Sequence, residues 1–500
     1  MEGLLHGFAV ALTPINLLFA FVGALVGTIV GVLPGLGPIG AMALLLGLTY
    51  GLPPTAALIL FAGIYYGAMY GGSTTSILVN IPGESSSVVT AIDGYKMAQK
   101  GRGGAALFLA AVGSFIAGTI GLILLSFVAP TLAQAALKFG PTEYFAIACF
   151  GFIVLSQLSD DGLLKSLIMV CIGLLLGTVG LDNITSLPRF TFGSTDLLQG
   201  INFVPIAMGL FGIAEILLVA EEGEEENSKV TKVKLRELLP NRNEMKRSTG
   251  PILRGSLVGF LMGLIPGPAA VISTFMSYTL ERKVSKHPEE FGHGAPEGVA
   301  GPESANNAAG VSAFIPLLSL GIPFVPPAAL LLAALLIHGV TPGPLLMTEH
   351  PDVFWGVIAS MYIGNFMLLI LNLPLVGLFI NILRVPQKLL MPIILVICII
   401  GTYAVDNSMT DIWVLMISGI VGYILRKLHF PVAPLALALI IGPMMESSLR
   451  QSLMAYEEGL MVFLVHPLSR ILLILAAATV IIPLIIRLAK KSFRKTGQPI

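Results

Sequence analysis

Long stretches without charged side chains dominate the pattern of this chain. Residues 3–83 contain no Asp, Glu, Lys or Arg, and similar runs cover 103–137, 304–348 and 353–383. One membrane span needs only about 20 apolar residues, so the first run must cross or enter a bilayer several times. Backbone polar groups in lipid must be satisfied within the segment, and these runs lack the alternation of barrel strands. We therefore predict an all-α polytopic integral membrane protein with roughly ten to fourteen membrane segments.

The composition leads to the same class of protein. Of the 500 residues, 55% are hydrophobic and only 11% are charged, whereas soluble domains are about 25% charged. A soluble fold is excluded, and membrane lipid is the expected surrounding. The formal net charge is zero, which gives no electrostatic case for a nucleic-acid partner. Because the N-terminal stretch has no Lys or Arg before its apolar run, we interpret it as the first span rather than a cleaved signal peptide.

One long polar segment divides the apolar sequence. Residues 221–247 hold an acidic cluster followed by a series of Lys and Arg. The two flanks share motifs that occur in the same order. The pairs are Gly31–Gly35 with Gly263–Gly267, Asn80–Pro82 with Gly321–Pro323, and Gly177–Thr178 with Gly401–Thr402. We infer an internal duplication of one membrane unit.

Lys and Arg fall in opposite loops of the two halves. Lys96, Lys100 and Arg102 follow the first Ile-Pro motif, whereas the equivalent segment 339–352 contains neither residue type. Because cytoplasmic loops collect Lys and Arg, this reversal predicts two repeats of inverted topology. The predicted organisation is a first membrane repeat over 1–219, a cytoplasmic charged linker over 220–250, a second membrane repeat over 251–446, and a loop, last helix and cytoplasmic basic tail over 447–500.

Pro and Gly interrupt an apolar stretch at the same place in each half. Pro34, Gly35 and Gly37 lie midway through the first stretch, and Pro266 and Gly267 lie midway through the second. Pro removes a backbone donor and Gly relaxes the backbone, so each set predicts a broken or re-entrant helix. Paired breaks in transporters expose helix N-termini, which suit anions, and free carbonyls, which suit cations. We interpret both sets as substrate- or ion-binding, with an ordinary turn between two helices as the alternative.

Hydroxyl and amide side chains cluster inside these charge-free regions. Such groups can replace the water around a carboxylate or Na⁺, although small polar residues also hold membrane helices together. We favour ligand contact. The candidate substrate- or ion-binding residues of the first half are Ser73, Thr74, Thr75, Asn80, Pro82 and Gly83. Those of the second half are Asn306, Asn307 and Ser319.

The candidate segments contain no Lys or Arg, so a bound anion would need help from a co-bound cation. Na⁺ or H⁺ coupling would supply that charge. Glu84 and Asp93 are the nearest acids; a cation could bind there, but solvated loop positions are the interpretation we favour. Asp182 and Asp406 are interpreted as helix caps.

Motifs of enzymes and ATP-driven pumps are absent from the sequence. There is no Gly-Lys dipeptide and therefore no Walker A loop, and neither Gly-x-Ser-x-Gly nor His-Glu-x-x-His occurs. We predict that the chain is not an enzyme and uses no cofactor. Secondary transport of a small polar or anionic solute is favoured. A passive channel, or a carrier for another small polar solute, is the alternative.

The motifs together resemble a known family, the large membrane subunit of the tripartite tricarboxylate transporters. The segments that carry the resemblance are Gly31–Pro38, Tyr70–Glu84, Asp93–Tyr95, Arg189–Gly193, Ala295–Glu303, Asn306–Asn307, Leu336–Gly339 and Gly442–Glu446. They cover nearly the whole chain. One departure is Gly321–Pro327, which reads Gly-Ile-Pro-Phe-Val-Pro-Pro and is bulkier and less polar than the family pattern.

The resemblance implies a function and two partners. Members of this family import small carboxylates, such as tri- or dicarboxylates, across the bacterial inner membrane by secondary transport that is typically linked to Na⁺. The resemblance also implies a small membrane subunit and a periplasmic solute-binding protein that delivers the substrate. Na⁺, or H⁺ in its place, is therefore the expected coupling ion.

Overall fold

The computed structural model describes residues 2–33, 37–157, 162–182, 184–222, 238–375, 377 and 387–496. Over these ranges the chain is almost entirely helical, with one short antiparallel hairpin. The predicted all-α class is therefore confirmed. About half of the predicted charged linker, residues 223–237, lies outside the described residues. The inverted relation between the two halves and the proposed domain boundaries stay predictions.

The helices are mostly long and are joined by short connections. The first ten are α1 (Glu2–Ala11), α2 (Pro14–Val32), α3 (Gly37–Leu46), α4 (Pro54–Val79), α5 (Val88–Gln99), α6 (Gly103–Ala136), α7 (Pro141–Gln157), α8 (Leu163–Gly177), α9 (Phe203–Ala207) and α10 (Ala214–Glu222), with strands β1 (Gly180–Leu181) and β2 (Pro188–Arg189) after α8. The remainder are α11 (Arg242–Gly263), α12 (Ala269–Val284), α13 (Glu297–Ser312), α14 (Phe314–Leu320), α15 (Pro326–Ile337), α16 (Leu346–Glu349), α17 (Pro351–Asn372), α18 (Gln387–Asp406), α19 (Met409–Lys427), α20 (Val432–Ala455), α21 (Val462–Val465) and α22 (Pro467–Thr496).

Seven helices in the described part of the chain are long and apolar enough to cross a membrane. They are Pro14–Val32, Pro54–Val79, Gly103–Ala136, Phe203–Glu221, Pro351–Asn372, Met409–Lys427 and Val432–Ala455. A bent pair, Gly459–Val465 with Pro467–Ile481, makes an eighth if it is one span. Shorter apolar helices include Gly37–Thr49, Leu163–Gly177 and Pro326–Ile337. Long spans and shorter apolar helices together make up the membrane segments of a polytopic protein.

The helices divide into two compact units. The first comprises residues 1–137 and 204–424, and the second comprises 138–203 and 425–500. In the first unit, α4 and α13 are buried along almost their whole length. A helix that is buried on all sides has no solvent or lipid face, so any polar side chain it carries must find a partner inside the protein.

Helix α2 packs against α4 through glycines at every fourth position. A Cβ atom on Gly23 would lie 3.1 Å from the Cα of Gly63, and one on Gly27 would lie 2.9 Å from the Cα of Gly67. The backbones of the two helices therefore touch without intervening side chains. This is the small-xxx-small packing of membrane helices, which gains its stability from close van der Waals contact.

We expect Gly27→Ala to lower the thermal unfolding midpoint of the purified protein, because the added methyl overlaps the α4 backbone at a cost of about 1–3 kcal/mol. Gly364→Ala on α17 is the matched control, since no atom lies within 4 Å of its added Cβ. It should be neutral or slightly stabilising through helix propensity. Equal midpoints for the two variants would contradict the proposed backbone contact.

In the second unit, an ionic network holds the loop that contains the hairpin. The Asp182 carboxylate accepts hydrogen bonds from the backbone N–H groups of Ile184 and Thr185 at 2.8 and 2.9 Å. Its Oδ2 also accepts a hydrogen bond from Nη1 of Arg450 at 2.6 Å. Nearby, Nη1 of Arg189 forms an ion pair with Oε1 of Glu446 at 2.6 Å. The Thr185 N–H and the Arg450 guanidinium hold the pKa of Asp182 well below its ordinary value. The prediction that Asp182 caps a helix is wrong, because this carboxylate caps a turn between two strands.

The other predicted helix cap cannot be compared in the same way, since the side chain of Asp406 lies outside the described residues.

Candidate functional site

Both predicted breaks coincide with helix ends. Helix α2 ends at Val32, and α3 begins at Gly37 with a left-handed φ of 56°. Pro34 and Gly35 lie outside the described residues. The structure therefore describes the helix ends on both sides of the first break but not the break itself. The role of this break in binding stays a prediction.

In the second half, α11 ends at Gly263 and α12 begins at Ala269. Between them Pro266 and Gly267 are buried. The backbone N–H of Gly267 donates to the carbonyl of Phe324 at 3.0 Å. The segment that departs from the family pattern therefore supports this break directly.

The hydroxyl cluster of the first half lies on the last turns of α4. Ser73, Thr74, Thr75 and Ser76 are all at most 3% exposed. The hydroxyls of Thr75 and Ser76 donate to the carbonyl of Gly72 on their own helix, at 3.0 and 2.9 Å. Such bonds satisfy a hydroxyl locally, and Ser76 also donates to the hydroxyl of Ser87 at 2.9 Å. The ligand role of Thr75 stays a prediction. Ser73 differs, because it reaches another helix.

Ser73 contacts a buried acid on α13. Its Oγ lies 2.5 Å from Oε2 of Glu303, and Thr90 on α5 donates to Oε1 of the same carboxyl. Glu303 is 1% exposed, and none of the ion pairs among the described residues includes it. Three helices thus meet at one carboxyl group that has hydrogen-bond donors but no cationic side chain among the described residues.

The two adjacent amides of the second half lie on the same helix, three and four residues after Glu303, and are fully buried. Asn306 donates from Nδ2 to Oε1 of Glu84 at 2.9 Å. Asn307 donates to Ser114 on α6 at 2.6 Å and to the backbone carbonyl of Glu303 at 3.2 Å. Residues spaced by three and four share one face of a helix, so the acid and the amides form one polar face of α13.

A small cavity of about 10 Å³ opens beside this polar face. Its polar lining comes from Tyr70, Ser73, Thr74, Ser114, Glu303 and Asn372. The free space takes about one water-sized molecule. The cavity therefore suits a single small ion or water, and a larger solute would require the helices to move.

Several predicted site residues lie apart from this cluster. Asn80 is exposed and ends α4 in the left-handed conformation at φ 61°, followed by the partly buried Pro82. Gly83 is buried where the chain passes close to Gly72. Ser319 on α14 donates to the carbonyl of Ala129 on α6 at 2.8 Å. The structure gives Asn80 a helix-ending position and gives Gly83 and Ser319 packing contacts. The ligand roles of all four residues stay predictions.

The solvated-loop interpretation is wrong for Asp93. This side chain is 0% exposed. Its Oδ1 accepts hydrogen bonds from the backbone N–H groups of Gly292, Gly294 and Ala295, and its Oδ2 accepts one from Tyr278. Asp93 is therefore a structural clamp on the loop that precedes α13.

Glu84 is partly buried. Its Oε1 accepts from the Ser86 hydroxyl at 2.6 Å as well as from Asn306. It is tied to the second-half amides and does not stand free in a loop.

Glu303 is the residue that sequence reasoning missed. In the sequence it is the last residue of the family segment Ala295–Glu303, and two further signals mark it. It is an acid at the edge of a long charge-free run, and it shares a helical face with Asn306 and Asn307. An ionisable residue at membrane depth is by default a functional-site hypothesis.

Comparison with known proteins gives a relative that spans almost the whole chain and a second that matches less than half of it. A protein of Agrobacterium vitis described as "Uncharacterized 52.8 kDa protein in TAR-I ttuC' 3'region" is 49% identical over 479 residues, covering 96% of this chain and 95% of the relative. A second, "Uncharacterized protein in TAR-II ttuC' 3'region" from the same organism, is 46% identical over 227 residues, covering 45% of this chain and 94% of the relative. No solved structure matches.

The family comparison agrees with the motifs and with the helical architecture. The sequence profile of the tripartite tricarboxylate transporter TctA family matches residues 17–437, which include both helix breaks and all three helices that meet at Glu303. The chain belongs to the tripartite tricarboxylate transporter TctA family.

Proposed function

We propose that this chain is the large membrane subunit of a tripartite secondary transporter that imports a small tri- or dicarboxylate, coupled to a cation gradient. The observation that carries this proposal is the buried carboxyl of Glu303 among Ser73, Thr90 and the adjacent amides, without a fixed positive charge. An anionic solute brought near this acid needs a compensating cation, because two uncompensated negative charges in a low-dielectric interior repel strongly. Na⁺ is the first candidate, in line with the resemblance, and H⁺ is the second.

The partners of the proposed system are a small membrane subunit and a periplasmic solute-binding protein. The tripartite description of the family supports them. The multi-pass helical architecture supports a bacterial inner-membrane location. Helix breaks in both halves support alternating access, in which equivalent elements expose one site to each side in turn. We propose no enzymatic role.

A passive channel or a simple carrier is the competing function. A channel needs a continuous polar path, whereas the cavity at Glu303 takes about one water-sized molecule. A site that must rearrange before it can admit a carboxylate is suited to a transporter.

Uptake by proteoliposomes tests the proposed function. The purified chain, with its small subunit and binding protein where required, is reconstituted and offered labelled citrate and succinate, with and without inward Na⁺ and H⁺ gradients. We expect accumulation of one carboxylate only when a cation gradient is imposed. Uptake that persists after all ion gradients are collapsed, or that requires ATP, would contradict secondary transport.

A further inference from the structure

The Glu303 carboxyl is buried without a positively charged side chain to compensate it in the described part of the chain. An ionised carboxylate taken from water into a protein interior loses several kcal/mol of solvation, which hydrogen bonds to neutral hydroxyls only partly replace. Glu303 is 1% exposed, and its side-chain partners are the hydroxyls of Ser73 and Thr90. A positive charge on this carboxyl would remove the cost, and the protein side chains described around it supply none.

The hydrogen count at Ser73 leaves a place for a proton on this carboxyl. Its Oγ lies 3.0 Å from the carbonyl oxygen of Met69 and 2.5 Å from Oε2 of Glu303, and both are acceptors if Glu303 is ionised. A serine hydroxyl has one hydrogen and can donate to only one of them. If Ser73 donates to Met69, the hydrogen between Ser73 and Glu303 must come from the carboxyl. Thr90 then donates to Oε1, and every polar atom of this group is satisfied by one added positive charge.

Charged and titratable groups on the neighbouring elements do not supply that charge. Glu84, which precedes α5, and Tyr70 on α4 face Glu303. Glu84 is another acid, so its charge would add to the repulsion. Charged groups on the helices around α13 are bonded elsewhere. They include Asp93 to Tyr278, Lys96 to Gln99, Lys100 to the carbonyl of His293, Arg102 to Glu244, Arg247 to Glu290 and Glu297, and Arg254 to Glu281.

A second observation points to a small cation as well as to a proton. The Oδ1 atoms of Asn306 and Asn307 and the Oγ of Ser304 are buried without a hydrogen-bond partner. All three lie within four residues of Glu303 on α13. Amide and hydroxyl oxygens are hard ligands of the kind that Na⁺ and other hard cations accept. The polar face of α13 thus carries the Glu303 carboxyl together with the spare amide oxygens of Asn306 and Asn307.

We propose that Glu303 binds one transported monovalent cation, H⁺ or Na⁺. This cation is taken up with the carboxylate solute and released on the opposite side of the membrane. This inference rests on the proposed function and assigns its coupling charge to one residue. For H⁺, an O–H bond forms at Oε2 with a proton from water on the entry side and breaks by transfer to water on the exit side. For Na⁺, the carboxylate and neighbouring oxygens replace water ligands, and no covalent bond changes.

Glu303→Gln tests the proposal because the neutral amide mimics a carboxyl that permanently holds its cation. A permanently neutral site should still exchange labelled for unlabelled carboxylate across the membrane. It should lose accumulation driven by a cation gradient, by about tenfold or more. The matched control is Glu289→Gln, an acid whose side chain is 70% exposed, which should behave like the parent.

Two measurements on purified protein keep this test independent of transport. Equilibrium binding of labelled Na⁺ should fall in Glu303→Gln if the cation is Na⁺. The infrared signal of a protonated carboxyl should disappear in Glu303→Gln if the cation is H⁺. Thr90→Val, which removes one donor to the acid, should shift the Na⁺ or pH dependence of that same signal while the protein remains folded.

The outcomes separate the two hypotheses. If the parent protein transports no carboxylate, the proposed function fails, while the Na⁺ and infrared measurements still decide the role of Glu303. If Glu303→Gln accumulates carboxylate like the parent and leaves both the Na⁺ binding and the carboxyl signal unchanged, the proposed cation site is overturned. If Glu303→Gln is unstable, Thr90→Val decides, and an unchanged cation dependence in that variant would overturn the proposal.

Discussion

Replacing Asp93 by alanine is expected to lower the free energy of unfolding by about 3–6 kcal/mol, because four hydrogen-bond donors would lose their acceptor. A donor left unsatisfied costs about 1–3 kcal/mol, and the partly buried donors recover part of that cost by bonding to water. The Asp93 Oδ1 accepts from the backbone N–H groups of Gly292, Gly294 and Ala295 at 2.9, 2.7 and 2.9 Å. Gly292 and Gly294 have φ values of 83° and 103°, so this loop is held in conformations that favour glycine.

The position of this clamp explains why its loss should also affect the site. The loop held by Asp93 leads directly into α13, the helix that carries Glu303 and both amides. Loosening it would shift the start of α13 relative to Ser73 on α4. We therefore expect substrate binding to weaken together with thermal stability in Asp93→Ala.

Asp93→Asn provides a graded comparison. It keeps Oδ1 as an acceptor for the three backbone groups, and the Tyr278 hydroxyl can rotate to accept from the new amide. Its loss of stability should therefore be clearly smaller than that of the alanine variant. Asp352→Ala is a surface control, because its side chain is 63% exposed and its pairing with His6 is worth at most about 1 kcal/mol.

The midpoint of thermal unfolding of detergent-purified protein is the measurement for all three variants. An Asp93→Ala variant as stable as Asp352→Ala would mean that the loop does not depend on this carboxylate. Equal losses in the alanine and asparagine variants would show that charge matters more than the acceptor geometry.

The fold could be predicted from sequence because its causes are local. Charge-free runs dictate helices in lipid, and Pro with Gly dictates where they break, as at Pro266 and Gly267. The burial of Asp93 could not be predicted in this way. It lies in a segment with Lys96 and Lys100, which indicates a solvated loop, and its burial depends on the loop 292–295 arriving from a distant part of the chain.

About half of the candidate site could be predicted for the same reason. Ser73, Asn306 and Asn307 were recognisable as polar groups in apolar sequence. Their convergence on Glu303 depends on how α4, α5 and α13 pack, which no periodicity encodes. Asn80 was recognisable in the same way, but its left-handed conformation at the end of α4 could not be predicted from the polar pattern, and its ligand role stays a prediction.

From the polar pattern, Asn80 and Asn307 are equivalent ligand candidates. The structure places them in different surroundings, so we expect their replacement to affect ligand affinity differently. Asn307 is 0% exposed, its Nδ2 bonds to Ser114, and its Oδ1 is unpartnered in the interior beside Glu303. Asn80 is exposed, and φ 61° is its notable feature. A buried amide with a free oxygen can bind a ligand or ion, whereas an exposed helix-ending residue chiefly needs to tolerate its conformation.

We expect Asn307→Ala to weaken the apparent affinity for the transported carboxylate by roughly twofold to over a hundredfold, corresponding to about 0.5–3 kcal/mol for one lost hydrogen bond or ion contact. Asn80→Gly is the matched control, because glycine adopts the left-handed conformation without strain. Its affinity should stay close to that of the parent.

Calorimetric titration of purified, monodisperse protein with the carboxylate that proteoliposomes accumulate, in the presence of Na⁺, is the deciding measurement. Thermal unfolding of each variant is recorded beside it, because a general loss of packing around Asn307 would lower stability as well as affinity. A lower affinity in Asn307→Ala at unchanged stability supports a ligand role for the amide. Parental affinity in Asn307→Ala, with the protein stable and monodisperse, would mean that the polar face of α13 only holds the helices together and that the solute binds elsewhere.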